Sequence, residues 1–229
     1  MKYYYILVIL FCFSCGKEKS IQLPEISKSN IHDIKDVSPA YLFYDESEKD
    51  SIELNRKNLI STTNWLVNVD KRLTLKQAIP SIIKLQEKKR DAKMHKNEAA
   101  KNYFTCNDKS VKNLGFIEFT DVIYHNGIDK SIVEHHSIYD STSTSELSHT
   151  ISLLFKENDS ISINSELTTK AHFLERLRFM DSVQNKMMGL IYLKFNENLT
   201  FQDYITFKSM LLELKLKHSV IANDEYIFN

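Results

Sequence analysis

One short pattern occurs twice. Val69-Asp70-Lys71-Arg72-Leu73-Thr74-Leu75 and Phe195-Asn196-Glu197-Asn198-Leu199-Thr200-Phe201 each read as a strand end, a polar turn and a Leu-Thr-apolar opening of a helix. Threonine suits the N-cap because its hydroxyl accepts a bond from a backbone N–H that has no intrahelical partner. Gln77, three residues after Thr74, completes a capping-box pattern, and Asp203 puts a carboxylate in the first turn after Thr200, where the helix dipole favours it. The agreement runs on to Ile79 and Ile205, and each half carries Asp-Ser-Ile earlier, at 50–52 and 159–161. Duplication would produce this, and so would independent recurrence of a common strand–capped-helix unit. Either origin commits the chain to an α+β fold of small mixed sheets packed against helices. Only 4 Gly and 3 Pro occur among 229 residues, which favours regular elements joined by short polar turns. It argues against a glycine-rich phosphate loop, which needs backbone freedom at several neighbouring positions.

The first residues speak to location. Lys2 is followed by an uncharged apolar run, Tyr3 to Phe13, and by the small residue Ser14 directly before Cys15. Charge, apolar core and small residue in that order form a secretory-signal pattern. The run is too short to span a bilayer, which takes about 20 apolar residues. With its cysteine, the stretch resembles a bacterial lipoprotein signal, although Cys12 and Phe13 stand where an aliphatic and a small residue are commoner. The resemblance implies removal of residues 1–14, a lipid on Cys15, and a cell-envelope location outside the cytoplasm with the membrane as a partner. Residues 15–38, polar and carrying Pro24, then read as the lipidated cysteine and a flexible tether. With Cys12 removed and Cys15 lipidated, Cys106 is left without a disulfide partner and reads as a buried small hydrophobe.

Residues 39–140 and 146–229 form the two expected α+β units. The first begins with AYLFYD and SIELN as strands, continues with WLVNVD (65–70), and has a helix starting at Thr74, in which Pro80 should introduce a kink or mark a later true start. The Lys- and Arg-rich stretch 84–101 reads as a solvated helix face. Residues 112–139 read as a hairpin, LGFIEFTDVIY and SIVEHHSIY about an Asn126-Gly127 turn. STSTS (141–145) is a linker. The second unit has strands ISLLF and ISIN, a helix from about Ser165 to Asn185, strand GLIYLKF, a helix over 200–216, and two closing strands, HSVIA and EYIF.

The order strand–turn–strand–helix–strand–helix–strand–strand over 151–228, with IYLKFNENLTFQDY at its centre, resembles the periplasmic domain of the ExbD/TolR family. WLVNVDKRLTLKQAI resembles the same piece, so both units are expected to be ExbD/TolR-like. That family couples to proton flow through an aspartate in a transmembrane helix. Residues 3–14 contain no acidic residue and are too short to span, so this coupling is not carried over.

Charge is balanced at 30 basic and 30 acidic residues, so no net field draws the chain to nucleic acid. No Gly-x-Ser-x-Gly elbow appears, and no serine or cysteine has a local signature of an activating base. Histidines concentrate at His125 and at Glu134-His135-His136, with Asp140 nearby. His125, Glu134 and His136 are the candidate metal ligands. His135 and His136 point to opposite faces of a strand and cannot both join one site. The closing strands offer His218, Val220 and Tyr226 as candidates for binding a partner along a sheet edge. The expectation is a lipid-anchored, non-catalytic envelope protein that binds or assembles with an envelope partner and needs no cofactor. A secreted hydrolase or metal-dependent enzyme near residues 125–140 is the alternative.

Overall fold

The computed structural model describes residues 19–91, 97–128, 147–183 and 188–229. The first sheet holds β1 (Glu25–Ile26), β2 (Val37–Tyr44), β3 (Ile52–Asn55), β4 (Asn64–Val69), β5 (Asn102–Asp108) and β6 (Asn113–Glu118). Helix α1 (Leu75–Arg90) connects β4 to β5. The second sheet holds β7 (Ile123–Ile128), β8 (Leu147–Phe155), β9 (Ser160–Ile163), β10 (Glu166–Thr169), β11 (Met188–Asn196) and β12 (Ser219–Phe228), in the order β10-β9-β8-β11-β12-β7. Helix α2 (Phe173–Ser182) precedes β11, and α3 (Phe201–Leu212) joins β11 to β12. The fold is α+β, with two mixed sheets and three helices among the described residues.

Each half repeats one plan. An antiparallel hairpin (β2–β3, β8–β9) is followed by a strand parallel to its first member (β4, β11). A Thr-capped helix comes next (α1, α3), then a strand parallel to the previous one (β5, β12). Both capping boxes form: the Thr74 hydroxyl accepts from Gln77 N, and the Thr200 hydroxyl from Asp203 N. The repeats also meet. Leu75 N donates to Leu199 O at 2.9 Å, and Phe201 N donates to Leu73 O at 2.7 Å. Thr74 and Thr200 form an antiparallel bridge between them. Equivalent positions thus exchange equivalent bonds, the signature of a two-fold relation normally seen between identical subunits.

The reciprocity continues into packing. Helix α3 lies on β1 and α1 on β7, so each helix crosses to the other half. Phe104 of β5 stacks on Phe119 and meets Phe201 and Tyr204 of α3 edge-on, with centroids 5.1 and 6.2 Å away. One continuous core runs from Leu42, Trp65 and Ile79 to Phe155, Phe195 and Ile227. Each fully buried Phe or Leu side chain contributes about 2 kcal/mol relative to exposure.

Turns are made without glycine. Asp50 and Ser51, Asn158 and Asp159, and Asn164 and Ser165 all have positive φ between 50 and 70°. Short polar side chains tolerate this left-handed region best after glycine, and the twist it imposes suits a hairpin. This explains two departures from expectation. Residues 166–169, expected to be helical, turn back about Asn164-Ser165 to pair with β9, and α2 begins only at Phe173. The Asn126-Gly127 pair is not a hairpin turn. It lies within β7, which pairs parallel with β12, and Gly127 (φ 74°) sits where that register shifts. The returning strand SIVEHHSIY lies outside the described residues. β7 therefore belongs to the second sheet, although it falls within 39–140.

Two further expectations differ. Pro80 does not interrupt α1, which is continuous from Leu75 to Arg90 and held down by buried Ala78, Ile79 and Ile82. The closing strands HSVIA and EYIF are one strand, β12. Residues 222–224 bulge out opposite Tyr192, and pairing resumes at Glu225.

The segment expected to be a tether is packed from Lys19 onward. Gln22 N donates to the Asp70 carboxylate at 3.1 Å, and Lys71 N donates to Gln22 O at 2.7 Å. The Gln202 amide of α3 accepts from Glu25 N and donates to Glu25 O, at 2.8 and 2.9 Å. Ser29 N donates to buried Asp108 at 2.6 Å, and the Ser29 hydroxyl donates to Phe116 O. Ile26 is buried, and Ser29 presses so closely on Gly115 that a Cβ there would lie 2.6 Å from the Ser29 Cβ.

Candidate functional site

The bulge in β12 organises the most chemically loaded region. Three residues on β12 oppose one on β11, and such a bulge bends the strand and re-aims its side chains. Downstream of it Glu225 points into the core and is fully buried. Its carboxylate accepts bonds from the Lys208 ammonium of α3 and from the Tyr204 hydroxyl, the latter at 2.8 Å. Tyr204 in turn lies 3.0 Å from the Tyr124 hydroxyl of β7. Because Tyr204 donates to Glu225, Tyr124 is the donor to Tyr204, and the chain of bonds runs from β7 through α3 to β12. Burial, reinforced by the Glu225 charge, holds both tyrosines well above the usual phenol range. They are donors at neutral pH and not bases. The cluster is internally satisfied, which suits fixing one strand arrangement.

On the opposite face of the same strands lie Tyr226, Tyr192 and Lys194. Lys194 is buried, and that burial lowers its pKa. His125 stacks on Tyr226 with centroids 4.7 Å apart, and its Nε2 is 2.6 Å from Asp224 Oδ1. Two residues singled out for different roles, His125 for a metal and Tyr226 for a partner, are thus neighbours across the β7–β12 pairing. Glu134 and His136 lie outside the described residues. No group of three potential metal ligands occurs among the described residues, and a zinc ion wants three or four.

The other two partner-binding candidates sit at the opposite end of β12. His218 is a backbone anchor: its N–H donates to Asp181 at 2.9 Å, and its carbonyl accepts from Gly189 N at 2.7 Å. This bond and the register Gly189↔Ser219, Leu190↔Val220 turn the Val220 amide toward β11. Ser219 and Ile221 direct their main-chain groups the other way. β7 covers that side of β12 only from Asp224 onward, so no described strand pairs along residues 219–223. The Val220 side chain is 44% exposed beside this open stretch. An extended chain could add there through main-chain bonds.

Sequence reasoning missed the Lys208–Glu225 pair and the buried anchors Asp70 and Asp108. A signal existed: Glu225 stands beside Tyr226-Ile227-Phe228, an acid in an apolar strand. Asp108-x-Ser110 is a local turn pattern, but the contacts of Asp108 with Ser29 and His32 are remote in sequence. Its carboxylate is held well below the usual range by Ser110 first, against the effect of burial, then by His32 and Ser29. Cys106, expected to be a buried hydrophobe, is fully buried, and desolvation raises its thiol well above the usual range.

A cleft of about 330 Å³ lies at the β8–β9 turn, lined by Glu157, Asp159, Leu199, Asp203 and Phe207. Asp203 is already committed to the Thr200 capping box. No helix among the described residues is long and apolar enough to cross a membrane. No protein-family model, curated protein or solved structure matches the chain.

Proposed function

We propose that this chain is a lipid-anchored, non-catalytic protein of the cell envelope whose α+β body binds or assembles with an envelope partner. The observation that carries the reading is the order Lys2, apolar Tyr3–Phe13, Ser14, Cys15. The resemblance of the strand–turn–helix piece IYLKFNENLTFQDY to that of the ExbD/TolR periplasmic domain supports the same reading, although the element order over 151–228 differs from the one expected. So does the stretch 219–223 of β12, along which no described strand pairs on the side away from β11, beside an exposed valine.

Intact mass and membrane partitioning of the protein expressed in a bacterial host, beside a Cys15→Ala variant, provide the test. The expected product begins at Cys15, carries added lipid mass and sediments with membranes. The variant should lose both properties. A native product without lipid mass that stays in the aqueous phase would refute the reading.

A further inference from the structure

We infer that the packed segment 19–32 acts as a short leash, which presents the β2–β3 turn end of the molecule to the bilayer that holds the Cys15 lipid. The inference rests on the lipid-anchor reading. A free tether as far as Val37 would let the body roam up to about 75 Å from the lipid, at about 3.5 Å per residue. The chain is instead caught at once. The Lys19 ammonium pairs with Asp45 at 2.9 Å and with Glu53, at the two flanks of the β2–β3 turn. Gln22 is then held on both sides of its peptide by Asp70 and Lys71. Asp70 is fully buried, and burial alone would raise its pKa. The bonds from the Arg72 side chain and from the Arg72 and Gln22 backbones outweigh burial and lower it. Gln202 grips both main-chain groups of Glu25, and Asn107 N donates to Pro24 O at 2.8 Å.

Only four residue steps separate Cys15 from Lys19, which span at most about 14 Å whatever their conformation. The turn bearing Asp45 must therefore stay near the membrane surface. Strand β2 has eight residues and runs from this end to Val37, which pairs with Asn64 about 25 Å away. The membrane-facing end carries Glu46, Glu48 and Asp50 beside Lys19 and Arg72, so charges of both signs face the bilayer and no net cationic patch is needed to hold it. Covalent attachment and a short chain hold it.

The test uses the full lipidated protein in phosphatidylcholine vesicles with an acceptor dye on the headgroups. A donor is placed on Glu46→Cys or on Thr62→Cys, both exposed and at opposite ends of the first sheet, while buried Cys106 stays unlabelled. Transfer from position 46 should be roughly twofold higher than from 62, given their separation along the strands. Inserting about twelve Gly/Ser residues after Glu18, which adds flexible reach, should erase the difference. Equal transfer from both sites, or a difference that survives the insertion, in protein whose mass carries the lipid would overturn the leash and leave the anchor standing. Absence of lipid mass would overturn both.

Discussion

Glu225 and Asp224 are adjacent acids with opposite fates. Glu225 is fully buried between Lys208 and Tyr204, whereas Asp224 and its partner His125 are each 37% exposed by side chain. Removing one member of a buried pair strands the other charge in a poorly solvated place. Glu225→Ala should therefore cost about 3–5 kcal/mol in urea unfolding. Asp224→Ala should cost under about 1 kcal/mol, because exposed pairs are screened. Equal losses would mean that the relay through Tyr204 and Tyr124 contributes nothing beyond a surface contact. Alternation along β12 puts Glu225 on the face of buried Ile227 and Asp224 on that of Tyr226, but the partners Lys208 and Tyr204, which make a buried carboxylate tolerable, are not legible locally.

At the level of elements, strands and helices with local signals were readable and their pairings were not. The capping boxes at Thr74 and Thr200, the apolar face of α1 and the strands over 65–70 and 189–195 follow from short-range patterns. Asn126-Gly127 carries the strongest short-range hairpin signal, yet the pairing of β7 with β12 lies a hundred residues downstream and overrides it. The same limit applies to the partner-binding edge. A proline at Val220 looks, from sequence, like a harmless way to blunt an open strand. In the structure the Val220 amide faces β11, so Val220→Pro should remove an internal ladder bond and lower stability by a few kcal/mol. Thermal unfolding of this variant should show a clear fall in midpoint. An unchanged midpoint would mean that β12 is not paired to β11 at that position.

Seen whole, the two halves share too much to unfold separately. Leu73, Leu75, Leu199 and Phe201 exchange backbone bonds across the pseudo-two-fold, β7 belongs to the second sheet, and the core is continuous. Trp65 is the single tryptophan, is buried in the first sheet, and donates from its indole to Ile60 O at 2.7 Å. Its fluorescence reports the first half, and far-UV ellipticity reports α1, α2 and α3 together. The two probes should give superimposable denaturation curves. Separated midpoints would show that the halves are independent folding units. The shared pattern at 69–75 and 195–201 is visible in the sequence, but the contact between the two segments is not, since nothing local indicates what a turn will touch.

Because the two equivalent turns belong to one chain, each can change without the other. In a symmetric dimer every substitution appears on both sides of the axis, so a residue must suit both roles. Here Asp70 and Asn196 occupy equivalent places and each accepts from the backbone N–H two residues on, at Arg72 and Asn198, but Asp70 is in addition a buried anchor for Gln22. Lys76 and Gln202 are likewise equivalent. Lys76 pairs with Glu197 at the surface, whereas Gln202 grips the incoming N-terminal segment at Glu25. Covalent linkage frees each side to specialise, one to receive the leash and the other to clamp it, without spoiling the contact they share.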